Sequence, residues 1–527
     1  MVRAIARGSG RQLTWTFLPR HVRPTLLIEA LPLAAAVFST LGFLVAAYFR
    51  ITFAYPMWVM ETPAMQAIRR IVHGQPLYAP PSLDYVAPVY APLYFYLSAL
   101  VSHVVGVDLL APRLVSLIAS LGSATLVGYL VWGETRRSLL SAVAAGLFIS
   151  TTTLSYVSFD LARVDPLCVF LLLAAIATAR AASRQSRHVT WLSLSSGALT
   201  GLAILTKQTA IVVVLPLALI PIFDRQFRSA AAYLVGAVAI AGLGALILYA
   251  QFGSWVEFFL VRLPRQHSLT LDQVGLFWTD KLLPGATILL LLAPVFLIGR
   301  ALRGEYRVVR FWLLVSLAML GLAWGATLNR WSDNNVLLPA FAVLVILGLC
   351  GFDEALRRLG SATPQARAFR LYAYALIAIE FLIVAYNPRQ TAPLRSDVWG
   401  LDRFVETVGT LQGNVFAPDF PELAYQAGKG DSAFGIGTLE LLGGYGGRSS
   451  AEGSAWVADF HTALDQRQYD ELLLDPDGVE PFITDAASAS GYVDTGPLFR
   501  SNDIFYTWGS HYAPKAHVWL PKERVHP

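Results

Sequence analysis

Residues 55–92 read YPMWVMETPAMQAIRRIVHGQPLYAPPSLDYVAPVYAP, and the interpretation of the whole chain starts from them. The stretch directly follows the first long apolar segment, 26–49. It carries one carboxylate, Glu61, just beyond the point where that segment should leave a bilayer. Most connections between structural elements are short, and long ones are usually functional. We therefore predict that this aromatic loop forms one wall of an active site at a membrane surface.

The composition is that of a membrane protein with many spans. Of 527 residues, 55% are hydrophobic and 14% are charged, whereas about a quarter of the residues in soluble domains are charged. Cys168 and Cys350 both lie in apolar segments, which excludes a disulfide framework and a thiolate metal site. Acidic residues outnumber basic ones in 390–527, whereas basic residues outnumber acidic ones in 1–389. We therefore expect a basic membrane part and an acidic, water-soluble C-terminal part.

The apolar segments predict about eleven transmembrane helices, because a span needs about 20 apolar residues. The segments are 26–49, 110–132, 139–157, 166–182, 190–206, 208–223, 229–250, 285–300, 311–328, 335–352 and 368–386. Segment 93–106 is also apolar but short. If this segment lies along the membrane–water interface and does not span, every Arg-rich loop falls on the same side of the membrane. The positive-inside rule assigns that side to the cytoplasm.

This sorting gives a cytoplasmic basic N-terminus (1–25), a transmembrane domain (26–387) and an extracytoplasmic domain (388–527). The main outer loops are then 50–109 and 251–284. In the first of these, Arg69, Arg70 and His73 share one face of PAMQAIRRIVHG, which predicts an interfacial helix.

The C-terminal part predicts a small α/β domain. NVFAPD (414–419) and YDELLLDPD (469–477) are typical of short strands, and 398–409 and 454–468 of helices.

Two carboxylates at the outer ends of spans are the candidate catalytic residues, Glu61 and Asp165. A carboxylate against an apolar wall can have a raised pKa and act as a general base. Simpler structural roles stay open for both, since Glu61 could cap the interfacial helix and Asp165 could pair with Arg163.

Cations in the same loops are candidates for binding a phosphate group at the bilayer surface, where the planar fork of arginine suits phosphate oxygens. The alternatives are a snorkelling side chain for Lys207, lipid anchoring for Arg113 and a solvated loop face for the others. The candidate phosphate ligands are Arg113, Lys207, Arg262, Arg265 and His267.

Further polar and aromatic residues of the outer loops are candidates for substrate binding: Tyr78, Tyr85, Tyr90, Arg163 and Asp333. The sequence contains no HExxH, paired-histidine or calcium-loop motif, so no metal or other cofactor is expected to be required, although a divalent ion would be chemically possible between the two acids. The sequence also lacks a GxSxG motif.

Several motifs in order resemble the GT-C superfamily of integral-membrane glycosyltransferases, in the branch of protein O-mannosyltransferases and the lipid A aminoarabinose transferase. They are the acid after the first span, GQPLY (74–78), VYAPLYFYL (89–97), APRLVS (111–116), LARVDPL (161–167) and GLAILTKQTA (201–210). In that branch the first-loop acid is the catalytic base, which implies this role for Glu61. Many relatives carry an Asp-Glu pair where this chain has Met60-Glu61. By the same resemblance Asp165 matches the second-loop acid, and Arg113 and Lys207 match positions near the donor phosphate.

The resemblance implies a polyprenyl-phosphate-linked sugar donor, a glycan, lipid or protein acceptor, and transfer by single displacement outside the cytoplasm. The lack of a nuclear or ER-type signal and the richness in Ala, Arg and Leu indicate a bacterial cytoplasmic membrane. No nucleic-acid partner is expected. Three alternatives stay open: a transporter or flippase of lipid-linked glycans, a glycan ligase or polymerase, and a non-catalytic assembly protein.

Overall fold

The computed structural model describes residues 24–156, 158–184, 187–330, 332–359, 363–444, 449–476, 481–499, 505–507, 510–512 and 515–525. The predicted N-terminal region 1–25 therefore lies almost wholly outside the described residues.

Within the described ranges, fifteen α-helices precede the C-terminal part. They are α1 (Pro24–Ile51), α2 (Glu61–Val72), α3 (Leu93–Val105), α4 (Leu110–Thr135), α5 (Ser138–Ser150), α6 (Asp165–Arg184), α7 (Val189–Thr206), α8 (Val214–Phe223), α9 (Phe227–Phe252), α10 (Ser254–Glu257), α11 (Gln273–Leu276), α12 (Leu283–Leu302), α13 (Tyr306–Thr327), α14 (Leu338–Leu359) and α15 (Pro364–Ile383).

The predicted polytopic helical fold is confirmed, with one difference in the spans. Ten helical segments among the described residues are long and apolar enough to cross a membrane. The remaining predicted segment, 208–223, is shorter and less regular, a 3₁₀ turn (Gln208–Val213) followed by the ten-residue α8. It connects Lys207, which lines the cavity described below, with Asp224, which pairs with Arg307 and Arg310, over about 27 Å. The disputed segment 93–106 forms the 13-residue α3, which is too short to span.

The C-terminal part builds the predicted small α/β unit. Its helices are α16 (Arg395–Gly409), α17 (Pro421–Gln426), α18 (Gly435–Leu441), α19 (Ala451–Asp465) and α20 (Pro481–Ala489). Its strands are β1 (Val415–Phe416), β2 (Glu471–Leu474), β3 (Tyr492–Pro497), β4 (Phe505–Thr507), β5 (Ser510–Tyr512) and β6 (His517–Pro521). One sheet has the order β1-β2-β6-β3, in which β1 and β2 are parallel and β6 is antiparallel to both of its neighbours.

Helix α2, in the first loop, contacts the C-terminal domain through polar side chains. The side chain of Gln66 donates to the carbonyl of Ser432 at 2.7 Å, and Arg69 forms ion pairs with Glu422 and Asp431 at 2.6 and 3.1 Å. The predicted basic face of this helix thus contributes Arg69 to a contact within the protein, where Arg69 is buried and its charge is matched by protein carboxylates.

The end of the bundle far from this contact is rich in paired arginines. Glu134 forms ion pairs with Arg180 and Arg184, with N–O distances of 2.7 Å each. Because α4 rises about 1.5 Å per residue, Glu134 lies about 30 Å along the helix from Arg113. The Arg-rich loops thus gather at one end of the bundle and the C-terminal domain at the other.

Candidate active site

A cavity of about 870 Å³ lies between the helical bundle and the C-terminal domain. Its volume is within the range of about 300–1,000 Å³ that ligand pockets usually have. Three parts of the chain that are distant in sequence meet there: the first loop, the segment from Lys207 to Val212, and α18. Its polar and ionisable lining residues are Tyr90, Arg163, Lys207, Gln208, Thr209, Arg265, Asn329, Arg330, Ser332, Asp333, Asn335 and Glu440.

Lys207 occupies one wall of the cavity and is held by Asp165. Its ammonium nitrogen donates to the Asp165 carboxylate at 2.7 Å, and Nε of Arg163 lies 3.7 Å from the same carboxylate. Lys207 can be placed there because α7 ends at Thr206 and the chain turns extended before the 3₁₀ segment. Two cations therefore flank one buried acid, which leaves net positive charge beside the cavity.

The rest of the lining contains both polar and apolar side chains. Tyr90 presents its ring 5.8 Å from the Lys207 nitrogen, and Arg265 and Asp333 line the cavity from other loops. Burial raises the pKa of the Asp333 carboxyl, although Arg163 and Lys281 oppose this effect. Apolar side chains also line the cavity: Ile211, Val212, Leu260, Val261 and Leu322. The cavity can therefore hold a ligand with an anionic end and an apolar chain.

Glu61 does not line this cavity. It is fully buried, and its two oxygens accept from Nε and Nη2 of Arg113 at 2.7 and 2.6 Å and from the amides of Ala162 and Met57 at 2.9 and 2.8 Å. Burial raises the pKa of Glu61, but the Arg113 guanidinium and the two amides outweigh it, so the pKa lies below its usual range. All four acceptor positions of the carboxylate are filled.

Arg113 is engaged just as completely. Besides Glu61, its guanidinium donates to the carbonyl oxygens of Arg50 and Tyr55, each at 2.8 Å, and to that of Phe53. Arginine has five N–H groups, and each has a protein acceptor here. Our expectation that Glu61 and Arg113 face a substrate is not met in this structure, because they bind each other.

A second buried pair adjoins the first. Arg50 donates to Asp160 through Nε at 2.6 Å and through Nη2 at 3.0 Å, and both residues are fully buried. We call Arg50, Glu61, Arg113 and Asp160 the sealed cluster. It fixes the end of α1, the start of α2, α4 and the loop before α6 relative to one another.

Four other predicted site residues lie away from the cavity. The hydroxyls of Tyr78 and Tyr85 donate to the carbonyls of Tyr90 and Leu77 at 2.6 and 2.9 Å, so they brace the first loop. Arg262 is about half exposed and lies 3.6 Å from Glu452. Nδ1 of His267 lies 3.2 Å from the side-chain amide of Asn329. Of the predicted site residues, the structure brings Tyr90, Arg163, Asp165, Lys207, Arg265 and Asp333 together.

Sequence reasoning missed several cavity residues. Met60 lines the cavity although its neighbour Glu61 points away. Gln208 lines it beside Lys207 and donates to the carbonyl of Val89 at 2.7 Å. Glu440 comes from the C-terminal domain. The only sequence signal for Glu440 is a lone carboxylate in the apolar run GIGTLELL.

Within the part of the chain that the structure describes, no group of three or more His, Cys, Asp or Glu side chains is arranged to hold a metal ion.

Residues 88–249 match the family model described as dolichyl-phosphate-mannose-protein mannosyltransferase. No curated protein sequence matches the chain. The structure is similar to that of ArnT from Cupriavidus metallidurans bound to undecaprenyl phosphate, with a TM-score of 0.60 and 13% identity. The match covers 93% of this chain and 99% of ArnT. This protein has the GT-C glycosyltransferase fold.

The same fold is found in a larger archaeal protein. The archaeal oligosaccharyltransferase from Archaeoglobus fulgidus, in its complex with Zn and sulfate, matches with a TM-score of 0.53 and 12% identity. That match covers 89% of this chain and 72% of the archaeal enzyme. The likeness to ArnT and the family-model match confirm the resemblance that the motifs indicated.

Proposed function

We propose that this GT-C protein transfers a sugar from a polyprenyl-phosphate-linked donor to an acceptor hydroxyl by single displacement. The observation that carries the proposal is the cavity, in which Lys207, Arg163 and Arg265 lie beside an apolar wall. Cations suit a phosphate, and the apolar wall suits an isoprenoid chain. The crystallised ArnT binds undecaprenyl phosphate and an archaeal relative was solved with a dolichol-phosphate, which supports the same ligand class here.

In the proposed reaction the acceptor oxygen attacks the anomeric carbon, and the bond from that carbon to the phosphate oxygen breaks. The electron pair leaves with the polyprenyl phosphate, whose growing charge Lys207 and Arg265 stabilise. Asp165 keeps Lys207 in place and ionised. This assignment replaces Arg113 as the phosphate ligand, because every donor of Arg113 is already bound.

Glu61 receives a positioning role in this proposal. Its carboxylate joins the start of α2 to Arg113 and to the loop at Ala162, and Met60 and Ala162 each line cavities at the interface with the C-terminal domain. A carboxylate with a lowered pKa and four bound donors is a poor proton acceptor.

We also propose that the cavity opens on the outer side of a bacterial cytoplasmic membrane. The opposite end of the bundle carries the Arg-rich loops, and such loops favour the cytoplasm. The C-terminal domain would then be extracytoplasmic, and a glycan, lipid or protein acceptor would enter from that side.

The test is a transfer assay with purified protein, a panel of polyprenyl-phosphate sugars and an envelope extract as the source of acceptors. Release of free polyprenyl phosphate reports the reaction whatever the acceptor is. We expect one donor class to be consumed. A protein that consumes none of the donors, yet moves lipid-linked glycans across vesicle membranes without changing them, would be a flippase and would overturn the proposal.

A further inference from the structure

The first-loop wall of the cavity carries no carboxylate. It consists of Trp58, Val59, Met60, Val89 and Tyr90. A displacement on an acceptor hydroxyl needs a group that takes the hydroxyl proton. Among the described residues, the acids that line the cavity are Asp333 and Glu440.

These two acids differ in their surroundings. Asp333 is under the influence of the cations Arg163 and Lys281, which lower the pKa of its carboxyl, although burial raises this pKa by more. The Glu440 side chain has no hydrogen bond or ion pair with any residue in the described ranges. Burial alone raises the pKa of Glu440 to about 8, and no neighbouring cation opposes this effect. An unpaired carboxyl group that lines the cavity and titrates near neutral pH is suited to proton transfer.

Glu440 also has the right position. It lies near the end of α18 and lines both the main cavity and a smaller adjoining one, together with Met60, Tyr90 and Arg163. Its charge acts on the Tyr90 hydroxyl, as do those of Lys207 and Arg163. Glu440 therefore faces the cavity from the C-terminal domain, while the cations face it from the bundle.

We propose that Glu440 is the general base that removes the proton from the acceptor hydroxyl, so that the C-terminal domain supplies a catalytic residue. This inference rests on the proposed function. The hydroxyl proton moves to the Glu440 carboxylate as the oxygen bonds to the anomeric carbon, and the leaving phosphate stays on the cation side. Water later takes the proton from Glu440.

The arrangement divides the active site between two parts of the chain. The bundle binds the donor phosphate, and the C-terminal domain activates the acceptor. The amide of Ala433, just before α18, donates to the carbonyl of Leu83 in the first loop at 2.7 Å. The contact between the C-terminal domain and the first loop therefore also positions Glu440.

The experiment compares Glu440→Gln, Glu440→Asp and the control Glu406→Gln in the transfer assay. Glu406 is exposed on α16 of the same domain. We expect kcat to fall about 10²- to 10⁴-fold in Glu440→Gln, which is the usual share of a general base, with partial recovery in Glu440→Asp and no change in the control. Binding of undecaprenyl phosphate, measured separately, should be unchanged in all three.

The pH profile separates a base from a merely structural residue. In the wild type, kcat/KM should rise as pH increases through about 8, because the base must lose its proton to act. The groups that face Glu440 across the cavity, and that can shift this midpoint, are Tyr90, Arg163, Lys207, Arg265, Arg330 and Asp333. Glu440→Gln should lose this rise, and Glu440→Asp should move its midpoint.

Two failures are distinguishable. If the wild type consumes no lipid-linked sugar, the proposed function itself fails. If the wild type is active and Glu440→Gln keeps its rate and its pH profile, only the role of Glu440 is overturned.

Discussion

The sealed cluster and the cavity lie side by side at one end of the bundle, and they use the same residue types in opposite ways. In the sealed cluster, Glu61 and Arg113 are fully buried and every donor and acceptor of the pair is engaged. In the cavity, Lys207 has one carboxylate partner, and Glu440 has none among the described residues. A completed ion pair holds structure, whereas charges that face a cavity can bind a ligand.

The difference shows why an acid next to an active-site loop is not necessarily a catalytic one. Glu61 and Met60 are adjacent in sequence, yet the carboxylate points into the protein and the thioether side chain lines the cavity. Which of these two neighbouring side chains lines the cavity therefore decides whether the first loop offers a carboxylate to a ligand.

The largest effect should come from breaking the sealed cluster. Arg113→Met leaves the Glu61 carboxylate buried without its cation, which should lower the free energy of unfolding by about 3–5 kcal/mol. Denaturant titration of the variant and the wild type measures this difference in the free energy of unfolding. The matched control is Arg262→Met, at a half-exposed site, where we expect a change within about 0.5 kcal/mol. Wild-type stability in Arg113→Met, combined with lost donor binding, would return Arg113 to the role of phosphate ligand.

Much of the fold was predictable, because spans and short strands leave local patterns. Ten of eleven predicted spans follow from apolar length alone, and the strands around 414–419 and 469–477 follow from their turns. The span that differs, 208–223, begins at Gln208, whose side chain bonds the carbonyl of Val89 in a distant loop. A local pattern cannot reveal that contact.

A smaller effect distinguishes two arginines of one loop. Arg265 lines the cavity and Arg262 does not, although both were predicted to bind the donor phosphate. Losing a charged hydrogen bond costs about 1.5–3 kcal/mol, so Arg265→Gln should weaken undecaprenyl phosphate binding by about tenfold or more. Arg262→Gln is the control and should bind normally. Equal losses in both variants would mean that the loop as a whole, and not the cavity wall, attracts the phosphate.

The site itself was predicted only in part. Asp165, Lys207 and Tyr90 were all predicted on one side of the membrane, and in the structure Lys207 contacts both of the others. The pairing of Glu61 with Arg113, 52 residues later, depends on how α2 and α4 pack. Glu440 reaches the cavity only because the C-terminal domain docks on the first loop, so no spacing in the sequence indicates it.

The smallest effect concerns the apolar wall. A Cβ atom added at Gly325 meets nothing within 4 Å, so we expect Gly325→Phe to be accommodated and to fill part of the cavity. We expect undecaprenyl phosphate to bind about three- to tenfold more weakly, a cost of up to about 1.4 kcal/mol. The control is Gly242→Phe on α9, where an added Cβ atom meets only the Val238 side chain, at 3.9 Å. Unchanged binding in Gly325→Phe would place the lipid chain elsewhere.

We propose that the cavity, and not the sealed cluster, receives the donor phosphate. A cryo-electron microscopy map of the protein with undecaprenyl phosphate measures this directly. We expect phosphate density in the cavity within hydrogen-bonding distance of Lys207 or Arg265, with the Glu61–Arg113 pair intact. Phosphate density on Arg113, with Glu61 released towards the cavity, would contradict it.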